Sequence, residues 1–286
     1  MTIPAAPEKN FPKARFGPSY LSAIMGKIFK WPASGIHCER LAGDASDRSY
    51  FRVSLKNSGE AHGGGVQKGP QSSMVMQLKE PVSEPKTDFT RILKFFRKLD
   101  LPTPELFYYD APMGLLFLED CGTMTLEDQL NAFPKSKTQL YRQAVELLVH
   151  MQSRATQAID STCPAYHLKF DVKKLMWEFS FMLDHYVDEF CGSPLESLAR
   201  KELREAFTPL CESLAAEKLW FTHRDYHSRN LMFNQGRLVL LDFQDARMGP
   251  CQYDLVSLLR DSYVEIDDAL TEELVDFYIR LKEKEE

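Results

Sequence analysis

The sequence has little that would suit a membrane span, a nucleic-acid surface or a zinc knuckle. No apolar run approaches the roughly 20 residues that cross a bilayer, and the first residues lack an apolar core of signal-peptide length. The 35 Lys and Arg are outnumbered by 41 Asp and Glu, and the net charge is −6. The six cysteines show no short CxxC spacing. We therefore expect a cytoplasmic protein with free thiols and neither a nucleic-acid nor a membrane partner.

The 286 residues, 44% hydrophobic and 27% charged, suffice for one large domain or two modest lobes. Strand-like alternation dominates the first part of the chain and helical periodicity the second, which predicts an α+β fold with two lobes. We place the β-rich lobe at residues 1–118 and the helical lobe at residues 119–286. Within the first lobe, residues 1–18 are predicted to be a loose arm, and residues 57–73, which contain Gly-Gly-Gly, a flexible insert.

Three short polar side chains, those of Asp225, Asn230 and Asp242, flank a predicted hairpin. Leu231–Phe233 and Arg237–Leu241 have the composition of short apolar strands. The Asn-Gln-Gly segment that joins them supplies turn residues able to adopt positive φ. Such a hairpin would fold Asp242 back towards the other two side chains.

The same residues occur in the order used for phosphoryl transfer by protein kinases. His-Arg-Asp comes first, an Asn follows five residues after the Asp, and Asp-Phe closes the next hairpin. In this arrangement Asp225 accepts the proton of the attacking hydroxyl, while Asn230 and Asp242 hold Mg²⁺ against the nucleotide phosphates. Oxygen ligands on short side chains suit the near-octahedral geometry that Mg²⁺ requires. The fold expected from this motif is two-lobed and protein-kinase-like.

Other interpretations of this stretch remain open. Each of the three residues taken singly could be a turn former or a cap. His223, Asp225 and His227 form a His-x-Asp-x-His run that could bind Zn²⁺ in a hydrolase, although no compact set of further His or Cys ligands follows. A nucleotide-binding scaffold without turnover is a third possibility.

The motifs also carry a family resemblance. His223–Met232, Leu241–Ala246 and Tyr253–Asp261 resemble the aminoglycoside phosphotransferase and choline kinase family. Within it, the sequence most resembles bacterial kinases of N-acetylmuramate and N-acetylglucosamine, which also carry Gly-Asp-Ala-Ser and Tyr-Phe-Arg, here Gly43–Ser46 and Tyr50–Arg52. The resemblance implies ATP and Mg²⁺ as cofactors and the anomeric hydroxyl of an amino sugar as acceptor. Other small alcohols, such as an aminoglycoside, choline or homoserine, remain possible acceptors on the same scaffold.

Five residues of the predicted first lobe and its border are candidates for nucleotide binding. Ser46 and Arg48 lie in a loop of small residues whose backbone could approach phosphate closely. Lys79 follows a predicted strand, about where kinases keep the lysine that contacts the α- and β-phosphates. Glu119 and Cys121 belong to the segment that resembles the family's hinge, where backbone groups pair with the adenine edge.

Three further residues are predicted to support the structure rather than the chemistry. Thr125, three residues before Asp128, is typical of a capping box that opens a helix. The resemblance implies that Asp254 holds the catalytic loop by hydrogen bonds, and we interpret His223 as a brace of that loop rather than a base. Gln244 stands where protein kinases have the Gly of Asp-Phe-Gly, which argues against protein-kinase-style activation by this segment.

Overall fold

The computed structural model describes residues 14–41, 48–55, 69–82 and 87–285. These residues form two compact units. The first contains the described residues up to Thr87 together with Pro104–Cys121. The second contains Asp88–Thr103 and the described residues from Gly122 onward. The predicted α+β composition is confirmed, because the first unit is built on a sheet and the second mainly on helices.

The first unit is a five-stranded antiparallel sheet with one helix packed on it. The strand order is β1-β2-β3-β5-β4. Buried side chains of the helix and of three strands form a single apolar cluster that includes Met25, Phe51 and Phe117. The elements are α1 (Pro18–Phe29), β1 (Ile36–Arg40), β2 (Ser49–Leu55), β3 (Ser72–Gln77), β4 (Leu106–Asp110) and β5 (Leu115–Glu119).

Alternation along β2 shows why this sheet has one apolar face. Ser49, Phe51 and Val53 are buried, whereas the residues between them are partly exposed. The helix that covers this face begins with a proline in its first turn, where the missing N–H is no loss. It ends at Lys30, which adopts the left-handed conformation common after helices.

The predicted arm and insert fall largely outside the described residues. Of the arm, residues 14–18 are described, and the Arg15 backbone N–H donates to Gln77 Oε1 at 2.8 Å. Of the insert, residues 69–73 are described, and Ser72 and Ser73 already belong to β3. The strand therefore begins inside the predicted insert, because Ser73 is buried and its hydroxyl donates to the Leu118 carbonyl at 2.8 Å.

The second unit combines helices with two short antiparallel sheets. Strand β6 pairs with β9, and β7 pairs with β8. Thr125 caps its helix as predicted, with both hydrogen bonds of the capping box present. The elements are α2 (Asp88–Lys98), α3 (Leu126–Ala132), α4 (Lys137–Ala158), α5 (Val172–Met182), a π-helix (Leu183–Phe190), α6 (Ser197–Ala216), β6 (Leu219–Thr222), β7 (Leu231–Asn234), β8 (Arg237–Leu240), β9 (Arg247–Pro250), α7 (Gln252–Leu259) and α8 (Asp268–Glu285).

Helix α2 belongs to the second unit, although we predicted it in the first. The Phe89 ring stacks on Phe243 with 5.1 Å between centroids, and the Phe96 ring lies 5.3 Å from both Phe221 and Phe243. Phe96 and Phe243 are fully buried. The predicted boundary at residues 118 and 119 differs from the compact units for this reason, since the aromatic face of α2 has its partners more than a hundred residues away.

This packing predicts a large loss of stability when the Phe96 ring is removed. We expect Phe96→Ala to lower the free energy of unfolding by about 3–5 kcal/mol, because it deletes a buried ring and leaves a cavity. Lys94→Ala, an exposed position on the same helix, should change it by no more than about 0.5 kcal/mol. Denaturant unfolding measures both variants. A loss below about 1 kcal/mol for Phe96→Ala would contradict this packing.

Candidate active site

The loop after β6 is folded back on itself by hydrogen bonds that involve Asp225 and Asn230. The Asp225 carbonyl accepts from the His227 N–H at 3.2 Å and from Asn230 Nδ2 at 2.9 Å. The Asn230 N–H donates to the His227 carbonyl at 3.0 Å. Because the amide nitrogen of Asn230 is engaged, its Oδ1 is the atom left to bind a cation.

The predicted hairpin joins this loop to Asp242. Gln235 and Gly236 have φ values of 50° and 81°, as a tight hairpin turn requires. At the base of the hairpin the Leu241 N–H donates to the Asn230 carbonyl at 2.9 Å. Asp242 directly follows Leu241, whose N–H is bonded to Asn230, and Asn230 is in turn bonded to the Asp225 carbonyl.

Asp242 has an unusual backbone conformation, with φ 58° and ψ 34°. This left-handed region is costly for most residues other than glycine. The next residue, Phe243, is fully buried against Phe89 and Phe96, so core packing holds the turn. The exposed Asp242 carboxylate keeps Oδ2 available, while Oδ1 accepts from Gln244 Nε2 at 2.7 Å.

Asp254, on α7, fixes the start of the loop. Its Oδ2 accepts the His223 N–H at 2.7 Å and its Oδ1 accepts the Arg224 N–H at 2.9 Å. The carboxyl is fully buried, and burial raises the pKa of Asp254 to about 7 against the opposing effect of these two bonds. Arg224 itself has φ 81°, a strained value that the paired hydrogen bonds hold in place. The structural role predicted for Asp254 is confirmed.

The His223 ring is buried beneath the loop. Burial lowers the pKa of His223 to about 4, while the negative charge of Asp242 acts in the opposite direction. The ring is therefore neutral at pH 7 and makes an edge contact with Tyr226, 5.7 Å between centroids. Tyr226 is also buried, and its hydroxyl donates to the Ala144 carbonyl at 2.7 Å. These contacts agree with a brace rather than a base.

Asp225 is the predicted proton acceptor of the loop. Its side chain is 37% exposed and lies 3.8 Å from Arg224 Nη1. Burial raises the pKa of Asp225; Arg224 lowers it, and the charges of Asp242 and Asp245 raise it further. A carboxylate with a raised pKa is a better proton acceptor than an ordinary surface Asp.

Sequence reasoning missed the contacts that hold the far end of the loop. The Ser228 N–H donates to Asp261 Oδ2 at 2.8 Å. Arg229 forms an ion pair with Glu127 at 2.6 Å and lies over the Tyr263 ring, 3.7 Å from its centroid. The position of Asp261 in a motif shared with the kinase family was the available signal, but its partner is a backbone group that no sequence pattern identifies.

The nucleotide-binding candidates in the first unit are only partly described. Ser46 lies outside the described residues, and Arg48 directly precedes β2. Lys79 lies beyond the end of β3 at an exposed position, and its carbonyl accepts from the Arg15 guanidinium. The role of these residues in binding phosphate stays a prediction.

Of the predicted hinge residues, Glu119 ends β5 and Cys121 lies just beyond it. The Glu119 N–H donates to the Glu105 carbonyl at 2.8 Å, so this donor is used within the sheet. Cys121 is buried. Between them, Asp120 forms a bidentate ion pair with Arg52 of the Tyr-Phe-Arg motif, at 2.9 and 3.1 Å. Adenine pairing at Glu119 and Cys121 also stays a prediction.

Within the described residues, no group of three or more His, Cys, Asp or Glu side chains is arranged so that it could hold a metal ion. Among the described helices, none is long and apolar enough to cross a membrane.

Two curated relatives of this chain share the name of one sugar kinase. The N-acetylmuramate/N-acetylglucosamine kinase of Neisseria meningitidis is 29% identical over 248 residues, which are 85% of this chain and 66% of that protein. The kinase of the same name from Pseudomonas aeruginosa is 28% identical over 221 residues, 77% of this chain and 59% of that protein. The chain thus spans about two thirds or less of the length of these curated relatives.

Solved structures with the same fold include a choline kinase from Cryptosporidium parvum, with a TM-score of 0.62 and 13% identity over 93% of this chain and 78% of that one. An ADP-bound aminoglycoside phosphotransferase has a TM-score of 0.59 and 16% identity over 94% of this chain and 86% of that one. These likenesses confirm the predicted two-lobed, kinase-like α+β fold. The sequence profile of the phosphotransferase enzyme family matches residues 37–286, and the chain therefore belongs to that family.

Proposed function

We propose that the protein is an ATP- and Mg²⁺-dependent kinase that transfers the γ-phosphoryl group to the anomeric hydroxyl of an amino sugar, N-acetylmuramate or N-acetylglucosamine. The observation that carries the proposal is the linked set of Asp225, Asn230 and Asp242, with an acceptor carboxylate and two oxygen ligands on one hydrogen-bonded framework. The sugar is suggested by the names of the relatives. The use of ATP fits the cytoplasmic location expected from the sequence.

Asp225 has the role of proton acceptor in this proposal. As the sugar hydroxyl oxygen bonds to the γ-phosphorus, its proton passes to the Asp225 carboxylate, and the bond to the ADP oxygen breaks. Arg224, 3.8 Å from the carboxylate, restrains its orientation. Positioning and charge supply most of the catalysis, because this transition state needs little covalent help.

Asn230 and Asp242 have the composition of a magnesium site. Asn230 Oδ1 and Asp242 Oδ2 are hard oxygen donors whose neighbouring atoms are already engaged, as expected of oriented ligands. Bound Mg²⁺ would neutralise charge on the nucleotide phosphates. Ser46, Arg48 and Lys79 are proposed to contact those phosphates, and Glu119 and Cys121 the adenine.

A kinase of another small alcohol is the second candidate. It is favoured by the structural neighbours, whose names refer to choline and aminoglycosides. Those acceptors are cationic, and Arg224 next to Asp225 places positive charge where they would have to bind. A nucleotide-binding scaffold would bind ATP without transferring phosphate to any of these alcohols.

Removal of the Asp225 carboxylate tests the proposed mechanism. We expect Asp225→Asn to lower kcat with N-acetylmuramate or N-acetylglucosamine by roughly 10²–10⁴-fold, because the amide cannot accept the proton. ATP affinity should stay within about threefold, since the amide keeps the shape of the side chain. Coupled ADP release measures kcat, and calorimetry measures nucleotide binding. Asp276→Asn, at an exposed position on α8, is the matched control. A variant with near-normal kcat would exclude Asp225 as the base.

Loss of either proposed magnesium ligand should increase the metal requirement. We expect Asp242→Ala and Asn230→Ala to raise the Mg²⁺ concentration for half-maximal activity by about tenfold or more, because each removes one oxygen ligand. Mn²⁺ binding in the presence of ADP, followed by electron paramagnetic resonance, checks this without turnover. Unchanged Mn²⁺ affinity in both variants would place the metal elsewhere.

The pH dependence of kcat/KM provides an independent test. Protonated Asp225 cannot accept a proton, so kcat/KM should fall about tenfold per pH unit once the pH drops below the pKa of Asp225. Arg224 lowers that pKa, and Arg224→Gln should therefore move the acid limb to higher pH. Arg237→Gln, at an exposed position of β8, should leave the profile unchanged. A shift to lower pH in Arg224→Gln would contradict the assignment.

A further inference from the structure

A continuous series of contacts leads from Asp225 to Arg247. Arg224 Nη1 lies 3.8 Å from Asp225 Oδ2 and 3.4 Å from Asp245 Oδ2. Arg247 Nε donates to the Asp245 carbonyl at 3.3 Å, and in the β6–β9 ladder Arg247 is opposite Thr222. Arg247 therefore lies beside the loop that carries the proposed base.

The series continues from Arg247 to helix α5. The Arg247 guanidinium lies over the Phe170 ring, 5.1 Å from its centroid, and this ring stacks on Tyr253 at 4.2 Å. The Tyr253 hydroxyl donates to Glu178 Oε2 at 3.2 Å, and Lys174 Nζ lies 3.4 Å from Glu178 Oε1. We call Arg224, Arg247 and Lys174 the cationic patch.

Two of the three cations of the patch pair with carboxylates. Arg224 lies next to Asp225 and Asp245, and Lys174 lies next to Glu178. Burial lowers the pKa of Arg247 and the charge of Arg224 lowers it further, whereas the charges of Asp245 and Glu178 raise it. Burial also lowers the pKa of Lys174, with Arg224 and Arg247 acting in the same direction and Glu178 against them. Glu178 is engaged by Lys174 and Tyr253. Within the described part of the chain, no carboxylate lies within ion-pair distance of Arg247.

Neighbouring half-buried cations repel one another. Because a bound anion relieves this repulsion, such a group favours anion binding. We propose that Arg247, supported by Lys174, binds a carboxylate of the acceptor, and so makes N-acetylmuramate a better acceptor than N-acetylglucosamine. A guanidinium can bind a carboxylate through two parallel hydrogen bonds, and an ammonium adds a point charge. The inference rests on the proposed function, because it assumes that the acceptor hydroxyl lies at Asp225.

One feature favours the acceptor over the nucleotide as the ligand of the patch. Lys174 Nζ lies 3.7 Å from the centroid of the Trp177 ring, which is 51% exposed. A half-exposed aromatic face next to a cation suits a sugar ring that carries an acid group. The lactyl ether of N-acetylmuramate supplies such a group on the same ring as the anomeric hydroxyl.

The test compares three acceptors that differ in charge: N-acetylmuramate, its methyl ester and N-acetylglucosamine. For Arg247→Gln we expect kcat/KM to fall roughly 10- to 100-fold with the acid, the range of a lost charge-assisted hydrogen bond, and by less than about threefold with the two neutral sugars. Lys174→Gln should give a smaller loss with the same selectivity. Arg247→Lys keeps the charge and should restore part of the preference for the acid.

Two matched variants control for charge and fold. Arg237→Gln on β8 and Lys173→Gln on α5 remove the same charges at exposed positions and should not change the preference. Thermal unfolding of each variant shows whether it is folded. If Arg247→Gln does not fold, Arg247→Lys and Lys174→Gln still decide the question.

An equal loss of kcat/KM with all three acceptors would overturn the inference, because Arg247 would then act on the phosphoryl group. An unchanged preference for the acid would overturn it as well. If the enzyme phosphorylates neither sugar, the proposed function fails, and calorimetry with N-acetylmuramate and its methyl ester decides the inference separately. Tighter binding of the acid that is lost in Arg247→Gln would support it; equal or absent binding of both would refute it.

Discussion

The buried carboxylate of Asp254 is the interaction on which the site depends. It accepts two consecutive backbone N–H groups, those of His223 and Arg224, at 2.7 and 2.9 Å. These two hydrogen bonds hold the strained backbone of Arg224 and therefore orient the next residue, Asp225. If the buried Asp254 carboxylate lost either hydrogen bond, part of its desolvation cost would no longer be offset.

Beyond Arg224, hydrogen bonds connect each proposed functional residue to the preceding one. Asn230 is bonded to the Asp225 carbonyl, the base of the hairpin is bonded to Asn230, and Asp242 follows at once. The aromatic ring of Phe243 then locks the end of the hairpin into the core. The three residues proposed for catalysis and metal binding thus lie on backbone segments that are joined by hydrogen bonds. Accurate positioning of catalytic side chains requires such support.

The local parts of this arrangement could be predicted from the sequence. Four of these features depend on neighbours within about twenty residues. They are the hairpin, its Asn-Gln-Gly turn, the capping box at Thr125 and the order of Asp225, Asn230 and Asp242. The packing of α2 on Phe243 depends on contacts between distant segments, which a single sequence does not reveal.

The electrostatics of the site also became visible only in the folded chain. Acidic residues outnumber basic ones overall, yet Arg224 lies next to Asp225, and Arg247 contacts the carbonyl of Asp245, the second partner of Arg224. Charge counted along a sequence describes the whole surface, whereas the acceptor meets only the groups that the fold places around the reacting hydroxyl.

The most direct test of the proposed phosphoryl transfer is phosphorus NMR of the product formed from ATP, Mg²⁺ and N-acetylmuramate. We expect a sugar phosphate whose phosphorus is coupled to the anomeric proton, together with one ADP for each sugar consumed. Phosphate on another hydroxyl, or ADP formed with free phosphate and unmodified sugar, would contradict the claim that Asp225 activates the anomeric hydroxyl.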